Sequence, residues 1–314
     1  MKDKTDFGAV ITAMVTPFQA KDVRSVDMDC AVRLANFLLE HGTDTLLLNG
    51  STGEAAQLTA DERCGLIKNV RAGTPGKTRI IVSTGDTNTD RVINKTNKAF
   101  ELGADAVLVS VPEYIKPPQQ AMYNHFDSVA KSANGMPVII YNIPGRTGSE
   151  ILPDTVAKLA YENPNIIGIK QSMPDMDKVS ELKIKCPDSF QIYSGDDSLT
   201  LPMLSLGAKG VISVASHLEG ELISRMIKAF KEGRTVIASN YHQVLYPLYK
   251  SIFMTTNPMP IKEALYQRRL IGSPTLRTLG EMDAESKQKM ANSLNKFRAS
   301  KSDFLNKGII SKEI

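Results

Sequence analysis

Short apolar runs alternate with longer segments of helical period along most of the chain. The runs are rich in Val and Ile and nearly continuously apolar, which is typical of strands buried on both faces. The predicted strands are 10–16, 45–49, 79–84, 106–111, 137–142, 166–170, 190–194 and 210–214. The predicted helices are 27–41, 59–72, 88–102, 118–133, 153–162, 175–185, 198–206 and 217–232. This regular alternation predicts an α/β fold with a parallel sheet.

Local signals at the helix ends support these boundaries. Thr59 precedes Ala-Asp-Glu, and Glu62 three residues later completes a capping-box pattern. Glycines follow helical segments at Gly42, Gly103 and Gly207, where a left-handed residue commonly ends a helix. The pattern therefore predicts discrete helices joined by short turns.

Eight strand–helix units without a long linker favour a closed (β/α)₈ barrel over an open, doubly wound sheet. The open sheet would require a Gly-rich dinucleotide loop after its first strand, and residues 16–18, Thr-Pro-Phe, lack one. Beyond residue 232 the pattern is only helical, at about 234–256, 260–270 and 283–305. We predict a barrel over residues 1–232 and a helical C-terminal region over 233–314 that packs on it.

Composition and charge narrow the class of protein. The 38 basic and 34 acidic residues are scattered along 314 residues, giving a net charge of +4. This distribution argues against nucleic-acid binding, which usually needs a concentrated basic face, and suits small anionic substrates.

Three distant cysteines, Cys30, Cys64 and Cys186, indicate free thiols in a reducing compartment. With no apolar run of about 20 residues and no signal-peptide pattern, we expect a cytoplasmic protein without a membrane segment.

Two candidate catalytic residues close neighbouring strands. Lys170 ends the run Ile-Ile-Gly-Ile-Lys, and Tyr141 ends the preceding strand. Barrel enzymes carry their chemistry at the carboxyl ends of the strands. Burying an ammonium group without a partner is costly, so such a lysine tends to lose its proton and act as a nucleophile. The structural alternatives are that the Lys170 ammonium group reaches solvent, and that Tyr141 packs its ring in the core with its hydroxyl in contact with water.

Further polar residues follow other strands. The Gly50–Gly53 loop supplies the hydroxyls of Ser51 and Thr52 and exposed backbone N–H groups, which suit a carboxylate ligand, although a plain turn is the alternative. Arg146 lies in a Pro-Gly-Arg-Thr-Gly loop and suits a bidentate carboxylate clamp. Asp196 and Asp197 are better explained by helix capping than by a metal, because no histidine has ligand spacing.

These motifs resemble those of the dihydrodipicolinate synthase and N-acetylneuraminate lyase superfamily over about residues 8–270. The motifs are Gly-Ser-Thr-Gly-Glu (50–54), Tyr-Asn-Ile-Pro-Gly-Arg-Thr-Gly (141–148), Gly-Ile-Lys (168–170), Ser-Gly-Asp-Asp (194–197), Gly-Val-Ile-Ser-Val-Ala-Ser-His (210–217) and Asn-Pro-Met-Pro-Ile-Lys (257–262). The synthase branch is the most similar. It implies condensation of pyruvate with L-aspartate-4-semialdehyde to 4-hydroxy-tetrahydrodipicolinate, in diaminopimelate and lysine biosynthesis.

The resemblance also implies roles for individual residues. Lys170 would form a Schiff base with pyruvate, and Tyr141 would shuttle protons in a hydroxyl relay with Thr52 and Tyr114. Arg146 would bind the carboxylate of the aldehyde. The Ser51-Thr52 backbone would hold the pyruvate carboxylate, with Gly195 and the Ile212 carbonyl lining the pocket. No metal or organic cofactor is implied. Tyr114 would cross a tight dimer interface, which implies a homotetramer built as a dimer of dimers.

Three features depart from the synthase pattern. Ser51 replaces the common threonine, and the Gly-Ser-Thr-Gly-Glu variant also occurs in the lyase branch. Glu113 stands where many synthases have a second tyrosine, and Ile115 replaces an asparagine. The positions matching the lysine-feedback site are Ala60, Arg63, Thr87, Arg91 and Glu113. None has the side chain typical of lysine-inhibited members, so we expect little or no inhibition by lysine.

Three alternative functions share the fold. An aldolase cleaving N-acetylneuraminate or a 2-keto-3-deoxy sugar acid would have little use for Arg146, since a polyol aldehyde offers no carboxylate there. A catalytically silent keto-acid sensor has no chemical reason to keep Lys170, Tyr141 and Thr52 together. A metal-dependent hydrolase would need a histidine and carboxylate cluster, which the sequence does not indicate, although fold alone does not exclude it.

Overall fold

The computed structural model describes residues 5–310. In chain order the strands are β1 (Val10–Ala13), β2 (Phe18–Gln19), β3 (Asp22–Val26), β4 (Thr45–Leu48), β5 (Arg79–Ser83), β6 (Ala106–Ser110), β7 (Val138–Asn142), β8 (Ile166–Gln171), β9 (Gln191–Ser194) and β10 (Gly210–Ser213). All strands except β2 and β3 form one closed parallel barrel in the order β1-β10-β9-β8-β7-β6-β5-β4. The predicted (β/α)₈ architecture is confirmed.

The helices also follow the predicted pattern. They are α1 (Met28–Glu40), α2 (Ala60–Gly73), α3 (Thr89–Glu101), α4 (Gln119–Ser132), α5 (Pro144–Thr147), α6 (Pro153–Glu162), α7 (Met176–Lys185), α8 (Thr200–Ser205), α9 (Ser216–Lys231), α10 (Thr235–Ser251), α11 (Met259–Gln267) and α12 (Ala284–Asn306). Two 3₁₀ turns lie at Ala55–Gln57 and Asp197–Leu199. The capping box at Thr59 and Glu62 is confirmed, and Asp196 caps the second 3₁₀ turn through its side chain.

The hairpin of β2 and β3, helix α5 and the 3₁₀ turn at Ala55–Gln57 were not predicted, and strand β1 is shorter than expected. Strand β2 has only two residues and β3 is mostly polar and only partly buried, so neither shows an apolar run, and helix α5 has only four residues. Strand β1 ends at Ala13 instead of residue 16. Beyond that point the Val15 N–H donates to His217 Nε2 at 3.1 Å instead of to a neighbouring strand. The side-chain acceptor replaces a ladder carbonyl, so the regular strand ends there.

The first of two compact units comprises residues 5–8 and 79–212. Its strands β5 to β9 pair in parallel in chain order, and both β7 and β8 are buried along their whole length. Their runs of β-branched residues suit strands covered on both faces. The register places Tyr141 directly opposite Lys170. These two side chains are therefore neighbours at the carboxyl ends of adjacent strands.

The second unit comprises residues 9–78 and 213–310. It contains the parallel pair of β1 and β4, the hairpin, and helices α1, α2 and α9–α12. A buried chain of hydroxyls runs from Thr43 through Thr12 to Ser216, with oxygen–oxygen distances of 2.6 and 2.7 Å. The ring of His217 lies beside it, with Nδ1 2.8 Å from the Val214 carbonyl oxygen. Burial lowers the pKa of His217 to about 4, so the ring is neutral at pH 7.

The C-terminal helices pack within the second unit. Helix α10 contacts both α9 and α12. Helix α12 is capped by the Asp283 side chain, and its Lys301 pairs with Glu219 of α9 at 2.7 Å. The compact units divide the chain at residues 8/9, 78/79 and 212/213. The predicted division into 1–232 and 233–314 stays a prediction, and its end segments 1–4 and 311–314 lie outside the described residues.

Arg277 connects the segment after α11 to the start of α2. Its guanidinium donates to both carboxylate oxygens of Glu62 and lies 4.6 Å from the centroid of the Phe18 ring. It also donates to three carbonyl oxygens, those of Val23, Arg24 and Gln57. The hydrogen bonds from Arg277 lower the pKa of the Glu62 carboxyl to about 2. The pair therefore favours the folded state wherever Glu62 is ionised.

We expect Glu62→Gln to lower the free energy of unfolding by about 2 kcal/mol at pH 7, because it weakens a charge-assisted bond and the capping box. The pKa of Glu62 is about 2 in the folded chain and 4.5 without its partners. Its contribution is therefore complete above pH 4.5 and is lost as the pH falls toward 2. Thermal unfolding of both proteins between pH 7 and pH 3 measures the difference.

Glu285→Gln is the control, since the Glu285–Lys289 pair is largely exposed and contributes little. A difference between Glu62→Gln and wild type that stays constant below pH 4.5 would contradict the assignment.

Candidate active site

Lys170 is buried at the carboxyl end of β8. Its side chain is 6% exposed, and its Nζ lies 4.3 Å from the centroid of the Tyr141 ring. Within residues 5–310 it forms no ion pair with a carboxylate. The aromatic face offers a partial counter-charge to an ammonium group without bonding it. A lysine held this way keeps its nitrogen free to attack a carbonyl carbon.

Gly195 leaves room for the Lys170 side chain. It follows β9, and its N–H donates to the Gln171 carbonyl oxygen at 2.8 Å. A Cβ at this position would lie 1.7 Å from Ser172 Oγ and 3.0 Å from Lys170 Cε. No side chain fits there unless Lys170 and Ser172 move. The structure therefore brings Lys170, Tyr141 and Gly195 together.

Asn142 fixes the loop that carries Arg146. Its side chain accepts from the Ile151 N–H at 3.3 Å and donates to the Gln171 side chain at 3.1 Å. Within the loop, the Thr147 hydroxyl donates to the Ser149 carbonyl oxygen at 2.8 Å. These bonds tie residues 143–151 to the ends of β7 and β8. Arg146 lies in this loop and is exposed.

Tyr114 occupies a strained turn. Its φ is 70°, a left-handed value that is rare for a bulky residue, and the Ile115 N–H donates to the Glu113 carbonyl oxygen across it at 2.7 Å. The Tyr114 N–H donates to the Thr147 carbonyl oxygen at 2.9 Å, which holds the turn on the Arg146 loop. The side chain is 89% exposed. An exposed aromatic side chain in a strained turn motivates the hypothesis that this residue has a function.

Tyr114 and Arg146 line one pocket of about 890 Å³. Its other lining residues are Thr87, Glu113, Lys116, Thr147 and Gly148. Two cationic side chains, those of Arg146 and Lys116, face this pocket against a single acid. The net positive lining suits a carboxylate ligand.

Ser51 and Thr52 follow β4 in the second unit. Ser51 is exposed, whereas Thr52 is buried and its Oγ1 accepts from Asn257 Nδ2 at 2.9 Å. A hydroxyl that accepts this bond keeps its own hydrogen free to donate to another group. Gly53 is held by the Thr16 hydroxyl, which donates to its carbonyl oxygen at 2.6 Å. Ile212, the remaining predicted residue, is buried in β10.

A buried ion pair supports the same loop. Glu54, with a left-handed φ of 56°, accepts from Lys262 Nζ at 2.7 Å. The two side chains are 4% and 0% exposed. Lys262 also donates to the Thr275 carbonyl oxygen and lies 4.0 Å from the centroid of the Phe18 ring. Burial lowers the pKa of Lys262, and the Glu54 carboxylate opposes that shift.

Sequence reasoning missed the roles of three residues. Asn257 and Lys262 stand in the Asn-Pro-Met-Pro-Ile-Lys motif, but nothing in the sequence showed that they bond Thr52 and Glu54, more than 200 positions away. Ser172 follows β8 two positions after Lys170, and the period of a strand could have indicated that both face the same side.

Among the described residues, no group of three or more His, Cys, Asp or Glu side chains could hold a metal ion. Over residues 5–310 no helix is long and apolar enough to span a membrane.

Comparison with known proteins gives consistent matches. The profile of the dihydrodipicolinate synthetase family matches residues 6–297. A 4-hydroxy-tetrahydrodipicolinate synthase of Thermosynechococcus vestitus is 47% identical over 281 residues, covering 89% of this chain and 94% of that protein. The structure of DHDPS from Cyanidioschyzon merolae with lysine bound has a TM-score of 0.90 at 39% identity, covering 93% of this chain and 98% of that chain. Dihydrodipicolinate synthase from Aquifex aeolicus has a TM-score of 0.89 at 40% identity, with the same coverage.

We expect Lys262→Met to destabilise the protein by about 3–5 kcal/mol, because it leaves the Glu54 carboxylate buried without its cation. The double variant Glu54→Gln with Lys262→Met should recover part of this loss, since no uncompensated charge remains. Chemical denaturation of the three proteins at pH 7 measures both effects. Equal stability of the single and double variants would show that the buried charge is not the cause.

Proposed function

The chain belongs to the dihydrodipicolinate synthetase family, and we propose that it condenses pyruvate with L-aspartate-4-semialdehyde through an imine on Lys170. The product would be 4-hydroxy-tetrahydrodipicolinate, for diaminopimelate and lysine biosynthesis. The enzyme is a lyase of this type, as its relatives' names indicate. One observation carries the catalytic assignment: Lys170 is buried, has no carboxylate partner in the described chain, and lies against Tyr141.

The chemistry follows from what an imine does to pyruvate. The Lys170 nitrogen attacks the ketone carbon, and loss of water leaves a C=N bond. The nitrogen then accepts electrons when a proton leaves the pyruvate methyl group, which gives an enamine. The enamine carbon attacks the aldehyde carbon, whose oxygen takes up a proton, and the iminium on Lys170 re-forms. The amino group that came with the aldehyde then attacks the imine carbon and closes the ring, while the bond from that carbon to the Lys170 nitrogen breaks and frees the lysine. Each of these proton movements needs a positioned donor or acceptor.

Tyr141 is proposed as the proton shuttle, because its ring lies against the Lys170 nitrogen. For Thr52 we keep the relay role that the resemblance implies. Its hydroxyl hydrogen is free to donate, since the oxygen already accepts from Asn257. Asn257 is thus proposed to set the direction in which Thr52 donates. Ser51 and Thr52 are also proposed to hold the pyruvate carboxylate, and Gly195 and Ile212 to line the pocket.

Arg146 is proposed to select the aldehyde. An arginine fork can bind the carboxylate of L-aspartate-4-semialdehyde through two parallel hydrogen bonds. Arg146 is exposed and lines a pocket together with Lys116, and this pocket has room for such a ligand. A sugar-acid aldolase, the alternative, would act on an aldehyde that has hydroxyl groups in place of this carboxylate. The cationic lining therefore favours the synthase over that alternative.

Tyr114 is proposed to act in the site of a partner subunit, in a homotetramer built as a dimer of dimers. Its left-handed φ and 89% exposure support this, since an exposed aromatic side chain in a strained turn adds no packing that would stabilise a single chain.

Weak or absent inhibition by lysine stays a prediction, as does a cytoplasmic location. At two positions of the matching feedback site, Arg63 donates to carbonyl oxygens of residues 55 and 58, and Arg91 pairs with Asp86. These arginines would repel a cationic effector.

We expect pyruvate and borohydride together to attach a reduced pyruvyl group irreversibly to Lys170, because borohydride reduces the imine to a stable amine. Peptide mass spectrometry locates the modified residue. Lys170→Arg, which keeps the charge but not the nucleophile, should give no adduct and no pyruvate consumption. Lys185→Ala, a surface lysine paired with Asp154 and Glu181, should behave as wild type. An adduct at another lysine would refute the assignment.

We expect Arg146→Ala to lower kcat/KM for L-aspartate-4-semialdehyde about a hundredfold, since it removes a bidentate, charge-assisted contact. Borohydride trapping with pyruvate alone should be unchanged. Lys116→Ala removes a cation from the same pocket without removing the fork, so its effect should be much smaller. Equal losses in both variants would show that only the net charge of the pocket matters.

A further inference from the structure

Ser172 directly follows β8 and faces the same side of the sheet as Lys170. Its N–H donates to the Asn142 carbonyl oxygen at 2.9 Å, which continues the ladder between β7 and β8 by one residue. Side chains alternate along a strand, so residues two positions apart point the same way. Ser172 is therefore one step beyond Lys170 along the same line of side chains.

The Ser172 hydroxyl is buried and has no hydrogen-bond partner within residues 5–310. Its Oγ and the Lys170 Cε both lie within 3.0 Å of one point, the position that a Cβ on Gly195 would occupy. Within residues 5–310, the contact described for Lys170 Nζ is with the face of the Tyr141 ring. A buried hydroxyl without a hydrogen bond thus lies beside the Lys170 side chain, and native structures usually avoid leaving such a hydroxyl unpaired.

We propose that Ser172 is a positioning residue, whose Oγ accepts a hydrogen bond from the Lys170 nitrogen during imine formation. This inference rests on the proposed function of Lys170. The Lys170 side chain has four rotatable bonds, so its Nζ can leave the Tyr141 ring and reach Ser172 Oγ with little movement of Cε. A neutral amine bonded through one N–H has its lone pair fixed in direction. The lone pair can then be held toward the ketone carbon of pyruvate.

The same contact serves each intermediate. The nitrogen lone pair forms the C–N bond while the C=O π electrons move to oxygen, and one proton passes from nitrogen to that oxygen. The hydroxyl then takes a second proton from a neighbouring acid and leaves as water, while the nitrogen lone pair forms the C=N bond. The resulting iminium has one N–H, which still requires an acceptor. Ser172 Oγ provides it throughout, and no proton passes through Ser172.

Gly195 has a second function in this arrangement. A side chain at residue 195 would occupy the space between Ser172 Oγ and the Lys170 stem. The glycine therefore keeps open the route by which the two groups meet. A serine that only filled space would not need this opening.

The test is Ser172→Ala, with steady-state kinetics of both substrates. The proposed reaction forms the pyruvate imine before the aldehyde reacts, so kcat/KM for each substrate reports a separate half of the cycle. We expect kcat/KM for pyruvate, and the rate of borohydride trapping with pyruvate alone, to fall about tenfold, the effect of one lost hydrogen bond. The kcat/KM for the aldehyde and the melting temperature should be unchanged. Ser205→Ala, an exposed serine bonded to the Pro202 carbonyl oxygen, is the matched control.

Three results would overturn the inference, and they differ from a failure of the proposed function. Trapping by Ser172→Ala at the wild-type rate would show that the hydroxyl is not used. Equal losses for pyruvate and aldehyde, or a lowered melting temperature that accounts for the loss, would show a general structural effect. If wild-type protein itself is not trapped by pyruvate and borohydride, the function proposed for Lys170 fails, and the role of Ser172 fails with it.

Discussion

The free-energy cost of burying a charge explains how the two buried lysines of residues 5–310 are arranged. Lys262 is fully buried and is compensated by Glu54 at 2.7 Å and by the Thr275 carbonyl oxygen. Lys170 is almost as buried but lies against the Tyr141 ring, with no carboxylate partner in the described chain. A paired lysine is held in place by its counter-ion, whereas an unpaired one keeps a reactive nitrogen. Lys262, which has a counter-ion, is therefore structural, and Lys170, which has no carboxylate partner among residues 5–310, is the candidate nucleophile.

Backbone geometry makes the unpaired lysine usable. The parallel register sets Tyr141 beside Lys170, and the absence of a side chain at Gly195 leaves space for the lysine stem and the Ser172 hydroxyl. The register is set within β7 and β8, which are buried along their whole length, and Gly195 and Ser172 directly follow β9 and β8. The nucleophile is therefore positioned by strands, and the residues proposed to select the aldehyde are positioned by loops. This division is typical of barrel enzymes, in which loops change specificity while the strands preserve the chemistry.

Two strained residues lie in loops that are proposed to carry function. Tyr114 and Glu54 both have left-handed φ values, although neither is a glycine or an asparagine. Glu54 is compensated by its buried ion pair, and the Tyr114 turn by one backbone hydrogen bond to Thr147. The exposed Tyr114 side chain has no comparable packing against residues 5–310. The assembly proposed for the enzyme would provide that packing, since the partner subunit would then surround the side chain.

The sequence by itself determined the barrel, the order of its strands and helices, and the positions of Lys170, Tyr141, Gly195 and Arg146 at strand ends or in the following loops. It could do so because strand burial, helix caps and turns are local, and because parallel strands carry their functional groups at the same end. Only the tertiary structure decided the contacts between distant segments. Asn257 bonds Thr52, Lys262 neutralises Glu54, and Arg277 ties the segment after α11 to α2. These contacts depend on how side chains far apart in sequence meet after folding, which no local pattern records.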